Sequence, residues 1–214
     1  MRTVLRVFGE CSVTAGAIVL LFLAYLLWGT ALATGAHQHA FATQLQQQWQ
    51  IHREAKPATT RLHLVTGQPF AFIRIPRFGQ TWRFAIVQGT GLAQLALGPG
   101  HVPGTALPGQ IGNFSVAAHR VTAGNPFYHL NALRPGDKVI IITAATAYTY
   151  QVTHTELVLP GDTAVLDPVP GHPHQRPHEA MITLITCDPP WTGTHRIIVS
   201  GSLHAQTPRT GHNS

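Results

Sequence analysis

Between Glu10 and Arg53 the chain carries no Asp, Glu, Lys or Arg. Inside that window Val13–Ala33 reads VTAGAIVLLFLAYLLWGTALA. As a helix rising 1.5 Å per residue this run reaches about 31 Å, the hydrocarbon thickness of a bilayer. Arg2 and Arg6 precede it, so the positive-inside rule puts the N-terminus in the cytoplasm and everything after Ala33 outside. Tyr25 and Trp28 fall near the outer interface, where amphipathic rings settle. Ala31-Leu32-Ala33 also fits a signal-peptide cleavage site, but the apolar core is longer than an ordinary h-region, which favours an uncleaved anchor. Both readings export the chain beyond Ala33. A buried core helix of a soluble protein fits the length and flanks less well.

The remaining chain divides by composition. Residues 1–12 form a short cytoplasmic N-terminus, 13–33 the anchor, and 34–56 a Gln-rich, almost uncharged spacer or frayed helix. Residues 57–205 form one exported domain, and 206–214 a polar, flexible tail. Hydrophobic residues make up 44% and charged residues 10%, against about 25% charged in ordinary domains, so disorder is excluded. The two cysteines rule out a disulfide scaffold and a four-cysteine metal site. The net charge of +6 comes from scattered Lys and Arg with no basic stripe, so no nucleic-acid partner is expected.

Within the domain, short apolar runs bounded by Gly and Pro recur at close spacing, an all-β pattern. They are Phe70–Ile75, Trp82–Val87, Asn113–Ala118, Lys138–Thr143, Ala147–Val152, Met181–Thr186 and Arg196–Ser200. Gly91–Leu97 and Asn125–Leu133 read as short helices, the second stopped by Pro135-Gly136. Seven or so strands with two short helices point to a closed or nearly closed barrel.

Cys187 ends one apolar run and Arg196 opens the next, across the turn-rich DPPWTGTH. Antiparallel pairing of the two runs places these residues opposite each other, with Cβ atoms about 5 Å apart. A guanidinium there favours a thiolate or holds an oxyanion. A small thiol packed at a strand end is the plain alternative. Cys11 is no disulfide partner, because it lies at the cytoplasmic edge of the anchor. A cysteine nucleophile needs an acid/base, usually His. Of the fourteen histidines, His119 also ends a strand-like run, GNFSVAA, with Arg120 following, and spacing alone leaves the other histidines open.

These stretches, GNFSVAAHRVTAGNPFYHLNALRPGDKV and TLITCDPPWTGTHRIIVSGSL, resemble the sortases, membrane-anchored cysteine transpeptidases of Gram-positive bacteria, and most of all class E. The TLxTC motif matches at Thr183–Cys187 with Arg nine positions on, and the PF…L..L.PGD segment at Pro126–Asp137. The similarity runs from about Phe70 to Leu203. It implies an eight-stranded sortase β-barrel with Cys187, His119 and Arg196 as catalytic residues, and no cofactor or metal. It further implies cleavage of an LAxTG-like or LPxTG-like C-terminal sorting signal between Thr and Gly through a thioester. The partners it implies are secreted proteins bearing that signal and a peptidoglycan precursor amine. Ala118 departs from the pattern, since class E commonly has Gly before the histidine.

Leu159–Glu179 is long and Pro-rich, and its position suggests a wall of the signal-binding groove. Its HPHQRPH, with His172, His174 and His178, reads as a solvated loop rather than a metal site. GTGLAQ at Gly89 lacks the third glycine of a dinucleotide fingerprint, and Asn113-Phe-Ser115 is a formal glycosylation sequon inside a strand, read as incidental. An L,D-transpeptidase needs a His-Gly-Cys type motif that is absent here. A non-catalytic, wall-binding β module drawn to anionic polymers by the +6 charge is the competing function.

Overall fold

The structure is a computed structural model describing residues 2–25, 29–54 and 64–209. Leu26–Trp28 of the expected span, the expected domain start at Pro57 and the end of the tail lie outside the described residues. Helix α1 spans Arg2–Ala24, with a mean hydropathy of 2.0 over its most apolar stretch, long and apolar enough to cross a membrane. Ile18, Leu20, Leu21 and Phe22 all stand open, so among the described residues nothing covers its apolar surface. A Cβ at Gly29 would lie 2.7 Å from a Tyr25 ring carbon, so glycine there lets the ring pack against the chain before α2 begins.

Helix α2, Thr30–Glu54, is the Gln-rich stretch, and it is docked on the barrel. One face, spaced at helical intervals, does this work. Thr34 donates to Ala96 O, and Gln38 donates to Leu97 O while accepting the Ala85 amide. Leu45 and Trp49 are buried against Phe72 and Ala85, with the Trp49 and Phe72 rings edge-to-face at 5.5 Å. The Arg209 guanidinium lies 4.6 Å over the Trp49 ring.

The strands are β1 (Pro69–Arg74), β2 (Arg83–Gln88), β3 (Gly100–His101), β4 (Gly112–Ala117), β5 (Lys138–Ile142), β6 (Thr146–Val158), β7 (Ala180–Asp188) and β8 (His195–Pro208). They close in the order β1-β2-β3-β4-β7-β8-β6-β5, an eight-stranded barrel as the resemblance implied. All seven expected strands are present. The eighth, β3, has two residues, too few to show any periodicity. Strands β6 and β8 outrun their apolar segments, because residues such as Thr155, Glu156 and Gln206 are exposed and polar yet stay paired.

The expected helix at Gly91–Leu97 is α3, Leu92–Leu95. That expected at Asn125–Leu133 is instead a set of turns ending in a 3₁₀ turn, Leu130–Ala132. Phe127, Leu130 and Leu133 all point into the core, and an i, i+3 spacing suits three residues per turn better than 3.6.

Candidate active site

Three strands set the site by alternation. On β4, Phe114, Val116 and Ala118 face the core, which leaves His119 on the outer face. On β7, Ile182 and Leu184 face inward, and Cys187 falls on the outer face. On β8, Ile197 and Val199 face inward, and Arg196 outward. Cys187 pairs with Arg196 in the antiparallel β7–β8 register, as the run spacing predicted. Strands β4 and β7 run parallel with Ala117 opposite Ile185, and the ladder continues through the Ala118 amide on Ile185 O. His119 follows two residues beyond the last paired residue of β4, as Cys187 follows two beyond Ile185 on β7. Cys187 and Arg196 are therefore cross-strand neighbours at one end of the barrel, and His119 comes just after the end of the adjoining strand.

The turn-rich loop places Gly193 next to both the thiol and the guanidinium. Arg196 Nη1 donates to Gly193 O at 2.8 Å and to His195 O at 2.9 Å. A Cβ built on Gly193 would stand 3.7 Å from both Arg196 Nη1 and Cys187 Sγ, so thiol and guanidinium flank that glycine. Gly193 has φ +60°, a conformation that glycine takes without steric cost. Ala118 places its methyl in the core, and its carbonyl accepts the Thr186 hydroxyl at 2.8 Å. The departure from Gly is filled by packing.

Sequence reasoning passed over two residues, Arg120 and Asp188, which directly follow His119 and Cys187. Arg120 is buried, ion-paired with Asp188, and donates to Cys187 O at 3.2 Å. The pair ties the end of β4 to the end of β7 immediately behind the two outer-face residues. The available signal was positional: opposite charges one residue past the paired strand ends.

Burial pushes the His119 imidazole below its ordinary value of 6.5. The β6–β7 loop covers the outer face of β4 and β7. Val165 and Val169 of the loop are buried, and Asn113 Nδ2 donates to Val165 O at 2.9 Å and Asp167 O at 3.1 Å. Asn113 Oδ1 accepts from Thr183 Oγ1, so the sequon asparagine is internally bonded and buried. His172, His174 and His178 are exposed on the same loop. Asn113→Ala is expected to cost about 1–3 kcal/mol by leaving these groups unpaired. It should also loosen the loop, read as a lower melting temperature and faster amide exchange around Val165.

Known proteins with this arrangement are found by several routes. Sortase SrtE1 of Streptomyces coelicolor is 32% identical, over 96% of this chain and 58% of its own length, so the chain spans little more than half of that relative. The structure of sortase E from Streptomyces avermitilis superposes with a TM-score of 0.61 at 41% identity, covering 67% of this chain and 93% of that one. The crystal structure of sortase E1 from S. coelicolor with a tripeptide in the active site gives a TM-score of 0.63 at 33% identity, covering 71% and 97%. The Sortase domain family matches residues 73–204, a range that contains the strand ends carrying His119, Cys187 and Arg196. Barrel order, motif placement and family match agree, and the chain belongs to the sortase family, most like its class E members.

Proposed function

We propose that this protein is a membrane-anchored cysteine transpeptidase acting on a C-terminal LAxTG-like or LPxTG-like sorting signal. The observation that supports the reading is the cross-strand pairing of Cys187 with Arg196 next to the end of β4, which His119 follows, within the stretch matched by the sortase family. A wall-binding module needs no such juxtaposition.

The Cys187 thiolate attacks the Thr carbonyl carbon. Arg196 stabilises the oxyanion that develops there. The Thr–Gly C–N bond breaks, and the leaving glycine amine takes a proton from the His119 imidazolium. The thioester stores the acyl group without any nucleotide. In the second half an incoming amine attacks the thioester, a C–N bond forms, the C–S bond breaks, and His119 accepts the amine proton. The groove under the β6–β7 loop receives the signal peptide. Helix α1 spans the membrane with its N-terminus inside, and the barrel stands outside, where secreted proteins and peptidoglycan precursors meet. The tripeptide in the S. coelicolor structure supports a peptide as the ligand of the equivalent site.

The test uses the full chain in lipid nanodiscs, with quenched LAxTG and LPxTG peptides, with and without an added amine. Signal-dependent cleavage that an amine accelerates, with a thioester on Cys187 seen by mass spectrometry, supports the reading. A folded protein with no acyl adduct on either peptide refutes it.

The low proton affinity of His119 makes most molecules neutral at pH 7, ready for the amine-accepting half and short of the acid form for the first half. The acid limb of amine transfer is therefore expected below pH 6.5, measured as transfer rate against pH with the His119 ring followed by NMR. Buried His101, which bonds Gln88, Thr105 and the Ala106 carbonyl, is also held below 6.5, chiefly by burial. Well above pH 6.5 both rings are neutral in the folded and unfolded chain. As pH falls through 6.5 the unfolded chain takes up protons first, so stability is expected to decline on that side, read by thermal melts between pH 7.5 and 5.

A further inference from the structure

A cleft of about 270 Å³ lies between α2 and the barrel. Gly29, Ala33 and His37 line one wall, and Ala96, His119 and Ala123 line the other. Cys187, one strand away from His119, is not among the lining residues. No carboxylate lines the cleft, so it offers nothing to hold a cation, whereas a neutral amine meets an imidazole that burial keeps unprotonated. The transfer step requires an amine to reach His119 from a side that the acyl chain on Cys187 does not occupy. This cleft is such an approach.

We propose that the cleft admits the acceptor amine and that α2, by walling it, discriminates among acceptors; this rests on the transpeptidase reading above. The volume of about 270 Å³ falls just below small-ligand sites, which span about 300–1,000 Å³, so it fits a primary amine on a slender linear chain and rejects a branched one. The wall is rigidly held, because Thr34 and Gln38 bond the backbone at Ala96, Leu97 and Ala85. Tyr25 and Gly29, which lie between α1 and α2, are among the lining residues, so the cleft adjoins the segment that follows the apolar helix. On entry, the amine nitrogen bonds to the thioester carbon, sulfur leaves as thiolate, and the proton passes to His119.

The test takes the full chain in nanodiscs with an LAxTG peptide and triglycine as probe amine, and measures the ratio of transfer product to hydrolysis product. Ala33→Phe and Ala96→Phe narrow the cleft from opposite walls, while Ala40→Phe, exposed on α2 outside the cleft, is the control. The two narrowing variants should lower the ratio at least about tenfold through a higher KM for triglycine, with the ratio recovering at high amine and the control matching the parent. An unchanged ratio in both variants overturns the proposal. Loss of thioester formation in proportion to transfer also overturns it, because the cleft then belongs to the signal groove. Absence of thioester in the parent protein, measured without amine, instead overturns the transpeptidase reading beneath it.

Discussion

Cys187→Ala should lose signal-dependent transfer by at least about 10⁴-fold while the barrel stays folded. The magnitude is that of removing a covalent nucleophile from a site whose other members act only through it. Folding is spared because Cys187 lies on the outer face, only partly covered, and contributes nothing to the core cluster behind it. The measurement is the rate of transfer product formation together with the mass of the acyl adduct. The adduct must map to Cys187, since the exposed Cys11 in α1 is the other free thiol. Retained adduct in Cys187→Ala would place the chemistry elsewhere.

Arg120→Met is expected to destabilise the domain by roughly 3–5 kcal/mol, because it strips the partner from a carboxylate held at the end of the barrel. For a domain of this size that is about 10 °C in melting temperature. Asp188→Asn should cost less, since the Asp188 side chain is 24% exposed and an amide oxygen still accepts from Arg120. The double variant should recover part of the loss, as neither charge is then left alone. Activity should fall with Arg120→Met even at temperatures where the barrel is intact, because the ion pair and the bond to Cys187 O hold the strand ends bearing His119 and Cys187 together. Thermal melts and transfer rates on the same samples check both statements. A melt indistinguishable from the parent would remove the clamp from the account.

How much could be read in advance depends on the range of the interactions. Short apolar runs bounded by Gly and Pro exposed seven of the eight strands, because a buried strand needs only a few consecutive apolar residues with a turn at each end. The Cys187–Arg196 pairing was legible for the same reason: one short loop joins two runs, and antiparallel register then follows from counting. The family motifs singled out His119, which spacing left among fourteen histidines. Its place beside Cys187 comes from the parallel pairing of β4 and β7, which are separated in the chain by β5 and β6, so no local pattern announces it. The docking of α2 was hidden for a different reason. Its contact face holds Thr34, Gln38, Leu45 and Trp49, two of them polar, and the hydrogen bonds that make Thr34 and Gln38 adhesive end on backbone atoms that only the closed barrel presents. Sequence alone therefore determined the strands, the apolar N-terminal helix and the residue types the chemistry requires, since those follow from short-range burial and from motif identity. The tertiary structure decided which strand ends lie next to that of the thiol, which ion pair ties them together and which helix packs on the barrel, because each depends on pairing between segments far apart in the chain.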